Sequence, residues 1–168
     1  MKNNMKNVTT NNKETIGDFV KDHLTDNKDW VYLNLYQEQY LNEKDSELFD
    51  KLTLCTVGLN VSADIRKNGE VYVCDSNVIP YAGYKYNYPV VDVYKDLITK
   101  MTKDVEYYVK RIKEQFVKDK KFKMWDFNNA GFWNTLVLFG KDYGIEFEEG
   151  YDESIKARYI DFIGINDK

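Results

Sequence analysis

The residues of this 168-residue chain that could do chemistry are few, and their spacing rules out most of it. His23 is the one histidine, so neither a histidine-pair metal site nor a two-histidine catalytic scheme can be built. The phosphate-binding pattern G-x-x-x-x-G-K-[ST], the dinucleotide pattern G-x-G-x-x-G, the nucleophile elbow G-x-S-x-G and C-x-x-C do not occur. A cysteine nucleophile would need His23 beside Cys55 or Cys74. Nothing in the sequence joins them, and His23 next to Asp22 serves as well to terminate a helix. The acidic run Glu146, Glu148, Glu149, Asp152 and Glu153 could offer carboxylate oxygens to Mg²⁺. On a strand Glu146 and Glu148 would share a face, the minimum a metal needs. No companion Asp or Lys motif reinforces them, and charges that keep an edge strand solvated explain the run better. The expectation is therefore a chain with no catalytic residue, no metal ligand set and no cofactor.

Two groups of residues are better suited to binding a partner. Tyr81, Tyr84, Lys85, Tyr86 and Tyr88 could stack bases or sugars, or form a protein contact, since tyrosine gives a large area at low entropic cost. Lys118, Lys120, Lys121 and Lys123, following Lys110, Arg111 and Lys113, could grip phosphates. Each has a plain structural account as well. The tyrosines would pack on the core as a strand, and the lysines would complement a helix dipole while Glu114 and Asp119 interleave with them. The segment Trp125 to Asn129 could line a pocket, although helix capping by Asn128 or Asn129 accounts for it too.

Composition narrows the partner. The net charge is −4 and the pI about 5.1, unlike a uniformly basic nucleic-acid binder. Of the residues, 43% are hydrophobic and 15% aromatic, enough for a real core in one domain. No run of 18 apolar residues occurs, so no membrane span is expected. Met1 to Lys13 is polar, lacks the apolar core of a secretory signal, and reads as a disordered tail before a single domain over 14–168. The expected compartment is cytoplasmic. The bias toward Lys, Asn, Ile, Tyr and Phe reflects A/T-rich codons, as in a low-GC genome or one of its mobile elements.

The element that must position these groups is a long helix from Pro89 to Lys123. Tyr94, Ile98, Met101, Val105, Val109, Ile112 and Phe116 follow one another in steps of three or four, roughly 3.67 residues per turn, which is a nearly straight α-helix. Pro89 suits its start, Asp92 and Asp96 the positive end of its dipole, and the lysines the negative end. About 33 residues at 1.5 Å each give roughly 50 Å, against a diameter of about 40 Å for a compact chain of this length. The basic end is then free for a partner or for a second copy of the chain, unless the helix breaks near Lys118.

The remaining elements follow from pattern. Ile16, Phe19, Val20 and Leu24 predict a helix over 14–24, ended by the polar turn at 25–29. Trp30 to Tyr36 reads as a strand with bulk on both faces. Ser46 is a candidate cap for a short helical turn reaching Leu52. Alternation from Thr53 to Arg66 predicts a long strand, turning at Lys67-Asn68-Gly69 into Glu70 to Asp75. A three-residue loop with Gly69 left-handed puts Ile65 opposite Val71 and Ala63 opposite Val73, and is preferred over a two-residue turn because it keeps one apolar face. Cys55 and Cys74 then lie far apart as free thiols. Tyr84 to Tyr88 reads as a short strand, 132–143 as an apolar helix with Gly144 at its C′ position, and 145–149 as an edge strand. For 152–163 a helix capped by Asp152 is preferred slightly over a strand through 159–165.

These elements predict an α+β fold: an antiparallel sheet of three to five strands against a long central helix and one or two further helices. The functional expectation is a non-enzymatic protein-binding module, such as a small mobile-element-encoded inhibitor of a host defence nuclease or similar host protein. A homodimer through the long helix is compatible with it. The alternatives are a nucleic-acid or nucleotide binder using the basic helix end with the tyrosines, and a metal-dependent enzyme at the 146–152 carboxylates.

Overall fold

The computed structural model describes residues 13–55, 62–74, 79–80, 84–120, 122–126 and 130–166. The chain divides into two compact units. Met1–Thr53 and Gly58–Lys100 form the first; Leu54–Val57 and Met101–Lys168 form the second. Each contains one small antiparallel sheet, so the class is α+β as the pattern predicts, with the strands shared between two sheets.

In the first unit, α1 (Ile16–His23) starts at a capping box. The Asp18 N–H donates to Thr15 Oγ1 at 3.2 Å and the Thr15 N–H to Asp18 Oδ2 at 3.1 Å, which satisfies two N–H groups that a helix start leaves unpaired. These bonds hold the Asp18 carboxyl below its usual range. Ile16 and Phe19 turn inward and are buried.

β1 is only Trp30–Tyr32, and residues Leu33–Tyr36 wind into a 3₁₀ turn, where the sequence predicts a strand to Tyr36. Long-range polar contacts override the alternation here. The buried Tyr94 hydroxyl donates to the Leu33 carbonyl. Gln37, opening the short α2 (Gln37–Tyr40), donates to Ser46 Oγ at 2.7 Å and to Asp50 Oδ1 at 3.0 Å.

α3 (Glu43–Cys55) corrects two expectations. It begins at Asn42, whose Oδ1 accepts the Asp45 N–H at 2.8 Å, ahead of the predicted cap at Ser46. It continues through Cys55, which the alternation assigned to a strand; Ser46, Phe49, Leu52 and Cys55 recur every three residues and are all buried. Of the strand predicted over 53–66, residues 53–55 are helical because the helical period wins through Cys55, and Ser62–Arg66 form β2; residues 56–61 lie outside the described set.

β2 pairs with β3 (Val71–Cys74) in the preferred register, Ile65 opposite Val71 and Ala63 opposite Val73, with Gly69 at φ +83°. A side chain there would be strained, which is why glycine stands at this turn. The two-residue β4 (Ile79–Pro80) completes a sheet ordered β1-β2-β3-β4.

α4 (Val90–Lys118) is the long helix, 29 residues starting just after Pro89. Tyr94, Met101, Val105, Val109, Ile112 and Phe116 of the predicted stripe are buried, while Ile98 is half-buried and Leu97 beside it is buried. Its residues to Lys100 belong to the first unit and those from Met101 to the second. The helix stops at Lys118, short of the predicted Lys123. The Phe122 N–H donates to Asp119 O at 3.1 Å, and the Phe122 ring stacks on Phe162 at 5.3 Å, so the chain turns to enter β5 (Lys123–Trp125).

In the second unit, α5 (Ala130–Phe139) and a 3₁₀ turn at Lys141–Tyr143 end at Gly144, φ +81°, as predicted. The candidate caps Asn128 and Asn129 lie outside the described residues. β6 (Ile145–Asp152) and β7 (Ala157–Ile165) form a hairpin, with β7 central in a sheet ordered β5-β7-β6. The predicted helix over 152–163 is therefore replaced by a turn and a strand. Asp152 Oδ1 accepts the Ser154 N–H at 2.9 Å, nucleating a turn in place of a helix cap, and β7 gains backbone partners on both edges. No helix among the described residues is long and apolar enough to cross a membrane.

Candidate functional site

The structure distributes the predicted binding residues between the two units. Tyr81 and Lys121 lie outside the described residues. Residues 84–88 form a turn in the first unit, not the predicted strand, because their side chains are committed locally. The Tyr84 and Tyr88 hydroxyls both donate to Asp96 Oδ2 at 2.7 Å, and their rings lie 4.5 Å apart. The bond to Asp96, then burial, pushes the Tyr88 phenol up to about 12. The Tyr86 ring lies across two glycines: a Cβ on Gly17 would sit 3.2 Å from it and one on Gly69 3.1 Å. Tyr86 also accepts the Gly17 N–H on its carbonyl at 2.9 Å and donates its hydroxyl to Lys67 O at 3.3 Å. It thereby ties α1 to the β2–β3 turn. Lys85 is exposed beside it.

The lysines fall in the second unit. Lys118 is exposed at the end of α4. Lys120 Nζ lies 4.8 Å from the Phe116 ring centroid. Lys123 Nζ lies 4.0 Å from that of Tyr159 and pairs with Asp161 at 3.5 Å. Two of these cations are thus engaged with their own chain. The carboxylates Glu146, Glu148 and Glu149 line β6, the outer strand of its sheet, where charge keeps an unpaired edge solvated. Among the described residues no group of three or more His, Cys, Asp or Glu is placed to hold a metal ion.

His23 and Cys55 are separately accounted for. His23 Nδ1 lies 3.1 Å from Phe19 O and its ring stacks on Phe19 at 4.2 Å, which closes α1 as expected. Cys55 is a free, buried thiol at the end of α3. Burial pushes it up to about 11, against the smaller opposing effect of a hydrogen bond with Thr135. Only the thiolate is nucleophilic, so Cys55 in the native protein is expected to alkylate on the order of a hundredfold more slowly than a free cysteine at pH 8. Peptide mapping after timed iodoacetamide exposure, with and without denaturant, checks this.

Among the described residues of the first unit, two exposed apolar side chains lie at and just after β1, a place the sequence patterns did not single out. Among the described residues β1 is an outer strand, paired with β2 alone. The Lys67 N–H donates to Asp29 O at 3.1 Å and Val31 stands opposite Ile65. Antiparallel alternation then turns the N–H and C=O of Trp30 away from β2, to the open edge. Trp30 is 41% exposed and Leu35 70%. Both line an open hollow of about 450 Å³ with Asn27, Lys28, Asp29, Val31 and Tyr32. The signal in the sequence was Trp30 and Tyr32 on the side of the strand opposite Val31. Bulk on both faces of a strand does not by itself distinguish a covered face from this exposed one.

The same sheet face carries a polar group that its surroundings do not satisfy. Because Ile65 and Val71 point into the core, Asp64 and its cross-strand partners Tyr32 and Tyr72 occupy the other face. Trp30 packs edge-on against Tyr32 at 4.6 Å, and the Arg66 guanidinium lies 4.4 Å from the Tyr72 centroid. Asp64 is 5% exposed, and its Oδ1 has no hydrogen-bond partner. Burial raises its carboxyl above the usual range, opposed by the nearby Arg66 charge.

No protein-family model matches the chain, and neither curated proteins nor solved structures yield a significant match.

Proposed function

We propose that this chain is a protein-binding module that engages its partner along the β1 edge. What carries the reading is the combination, within one short stretch, of Trp30 and Leu35 in the open, a hollow between them and backbone groups facing outward. A strand edge of this kind offers hydrogen bonds to an extended segment, while a tryptophan supplies the anchoring area on which interface energies concentrate. A small inhibitor or adaptor from a mobile element, acting on a host protein, is the kind of protein this surface and the amino-acid bias toward Lys, Asn, Ile, Tyr and Phe fit. The tyrosine–lysine patches take second place as a nucleic-acid surface, because Tyr84, Tyr88, Lys120 and Lys123 are engaged within the chain.

Capture from native host cells on the immobilised chain, run beside Trp30→Ala and Leu35→Ser variants that keep the native melting temperature, tests it. A partner held by the wild type and held at least about tenfold more weakly by both variants is the expected result. Equal retention by all three overturns the reading. Binding of random oligonucleotides that falls steeply with salt would favour the nucleic-acid alternative instead.

A further inference from the structure

We infer that Asn68 is a self-modification site: its deamidation is a one-way switch on the β2–β3 turn, and Tyr86 guards it. The chemistry is intrinsic to an asparagine followed by glycine. With no Cβ at residue 69, nothing obstructs the Gly69 nitrogen from reaching the side-chain carbonyl carbon of Asn68. In the native turn one reactant is prepared and the other withheld. Asn68 is exposed, and its Oδ1 accepts the Glu70 N–H at 3.0 Å, which polarises the carbonyl toward attack. Its Nδ2 donates to Glu70 Oε1 at 2.7 Å. The nucleophile is tied down: the Gly69 N–H donates to Arg66 O at 2.8 Å and Gly69 is buried. The cover is the Tyr86 ring, from which a Cβ on Gly69 would stand only 3.1 Å away. The Tyr86 hydroxyl donates to Lys67 O at 3.3 Å and fastens that cover to the turn.

The reaction needs only water. The Gly69 nitrogen gives its proton to solvent hydroxide and bonds to Asn68 Cγ. The Cγ–Nδ2 bond then breaks, and ammonia leaves with a proton taken back from water, closing a five-membered succinimide. Water opens that ring at Cγ to give aspartate, or at the Asn68 backbone carbonyl to give isoaspartate, whose main chain runs through the former side chain. Neither product restores the native turn. The Nδ2 donor is replaced by a carboxylate that meets Glu70 as a like charge, and Glu70 is itself held by the Tyr72 hydroxyl. Isoaspartate also adds a main-chain atom to a turn whose length sets the register of two strands. The Lys67 N–H donates to Asp29 O at 3.1 Å and Lys67 Nζ pairs with Asp29 at 3.5 Å, so the change reaches the start of β1. The inference does not depend on what β1 binds.

The test incubates the full chain in mildly alkaline buffer, with and without urea, and follows mass and isoaspartate content at residue 68 by peptide mapping. Wild type, Tyr86→Ala and Val109→Ala are compared. Modification is expected to be at least tenfold slower in native wild type than in urea. In native buffer Tyr86→Ala should react at least fivefold faster than wild type. Val109→Ala weakens the buried face of α4 in the second unit and leaves Tyr86 in place, so it should stay near the wild-type rate. That contrast separates an uncovered turn from a chain that unfolds more often. In the modified fraction, isolated by its added negative charge, the Lys67 and Gly69 amides should lose their protection from hydrogen exchange. Equal wild-type rates with and without urea, no acceleration in Tyr86→Ala, equal acceleration in Val109→Ala, or retained protection of both amides overturns the inference.

Discussion

Replacing Lys103 by proline is expected to lower the stability of the protein by about 3 kcal/mol or more, while Lys103→Ala leaves it within about 0.5 kcal/mol. Lys103 is exposed in the interior of α4, so neither substitution removes a buried contact. The loss comes from the backbone alone. Proline has no N–H to donate to the carbonyl of Thr99 and its ring collides with that carbonyl. Because α4 supplies Tyr94 and Leu97 to the core of one unit and Val105, Val109 and Ile112 to that of the other, the break is expected to weaken both. Denaturant unfolding of the two variants measures the difference. A proline variant within 1 kcal/mol of the alanine one would mean that the helix is not continuous through this position.

Truncating Tyr94 to alanine is expected to cost about 3–5 kcal/mol, and Tyr94→Phe about 1–3 kcal/mol. The ring is fully buried, stacked on Tyr40 at 5.8 Å and edge-on to Phe49 at 5.3 Å. Its hydroxyl donates to the Leu33 carbonyl, which in the phenylalanine variant is left buried and unsatisfied. The two variants thus separate the ring from its hydroxyl. There is also a signature in pH. Burial pushes the Tyr94 phenol well above the ordinary tyrosine value, so the native state holds a proton that the unfolded chain releases. A raised native pKa adds stability that is complete below about pH 10 and is lost as pH rises beyond it. Wild-type stability should therefore decline more steeply above pH 10 than that of Tyr94→Phe. Parallel curves would show that the phenol ionises as readily in the native state as in the unfolded chain.

What could be read in advance was what a local period encodes. The long α4 helix, the amphipathic α1 and the Gly69 turn with its register all rest on spacing or on the demands of a single φ angle, and they appear as expected. Two of the misreadings come from competition between a local pattern and a partner distant in sequence, and a third from two local periods that overlap. Leu33 leaves the strand geometry to present its carbonyl to a tyrosine 61 residues away. The apolar set Ile155, Tyr159, Phe162 and Ile163 fits a helix, but strands on both sides supply backbone bonds that a helix at this place would forgo. Cys55 satisfies both a period of two and a period of three, and burial of Phe49 and Leu52 decides between them. The candidate site was the least legible part. Trp30 and Tyr32 read as bulk on one side of a strand; only the shortness of β1 and its outer place in the sheet leave Trp30 and Leu35 in the open.

The few residues around Cys55 carry a consequence for how the molecule is made. Leu54–Val57 belong with the C-terminal half, although the chain on either side belongs with the N-terminal half. The Leu54 carbonyl accepts the Asn134 amide at 2.6 Å. A gene fragment encoding 101–168 would thus lack part of its own interior, and no single cut in the polypeptide yields both halves intact. During synthesis Leu54 must wait for Asn134, 80 residues later, to leave the ribosome before its place is filled.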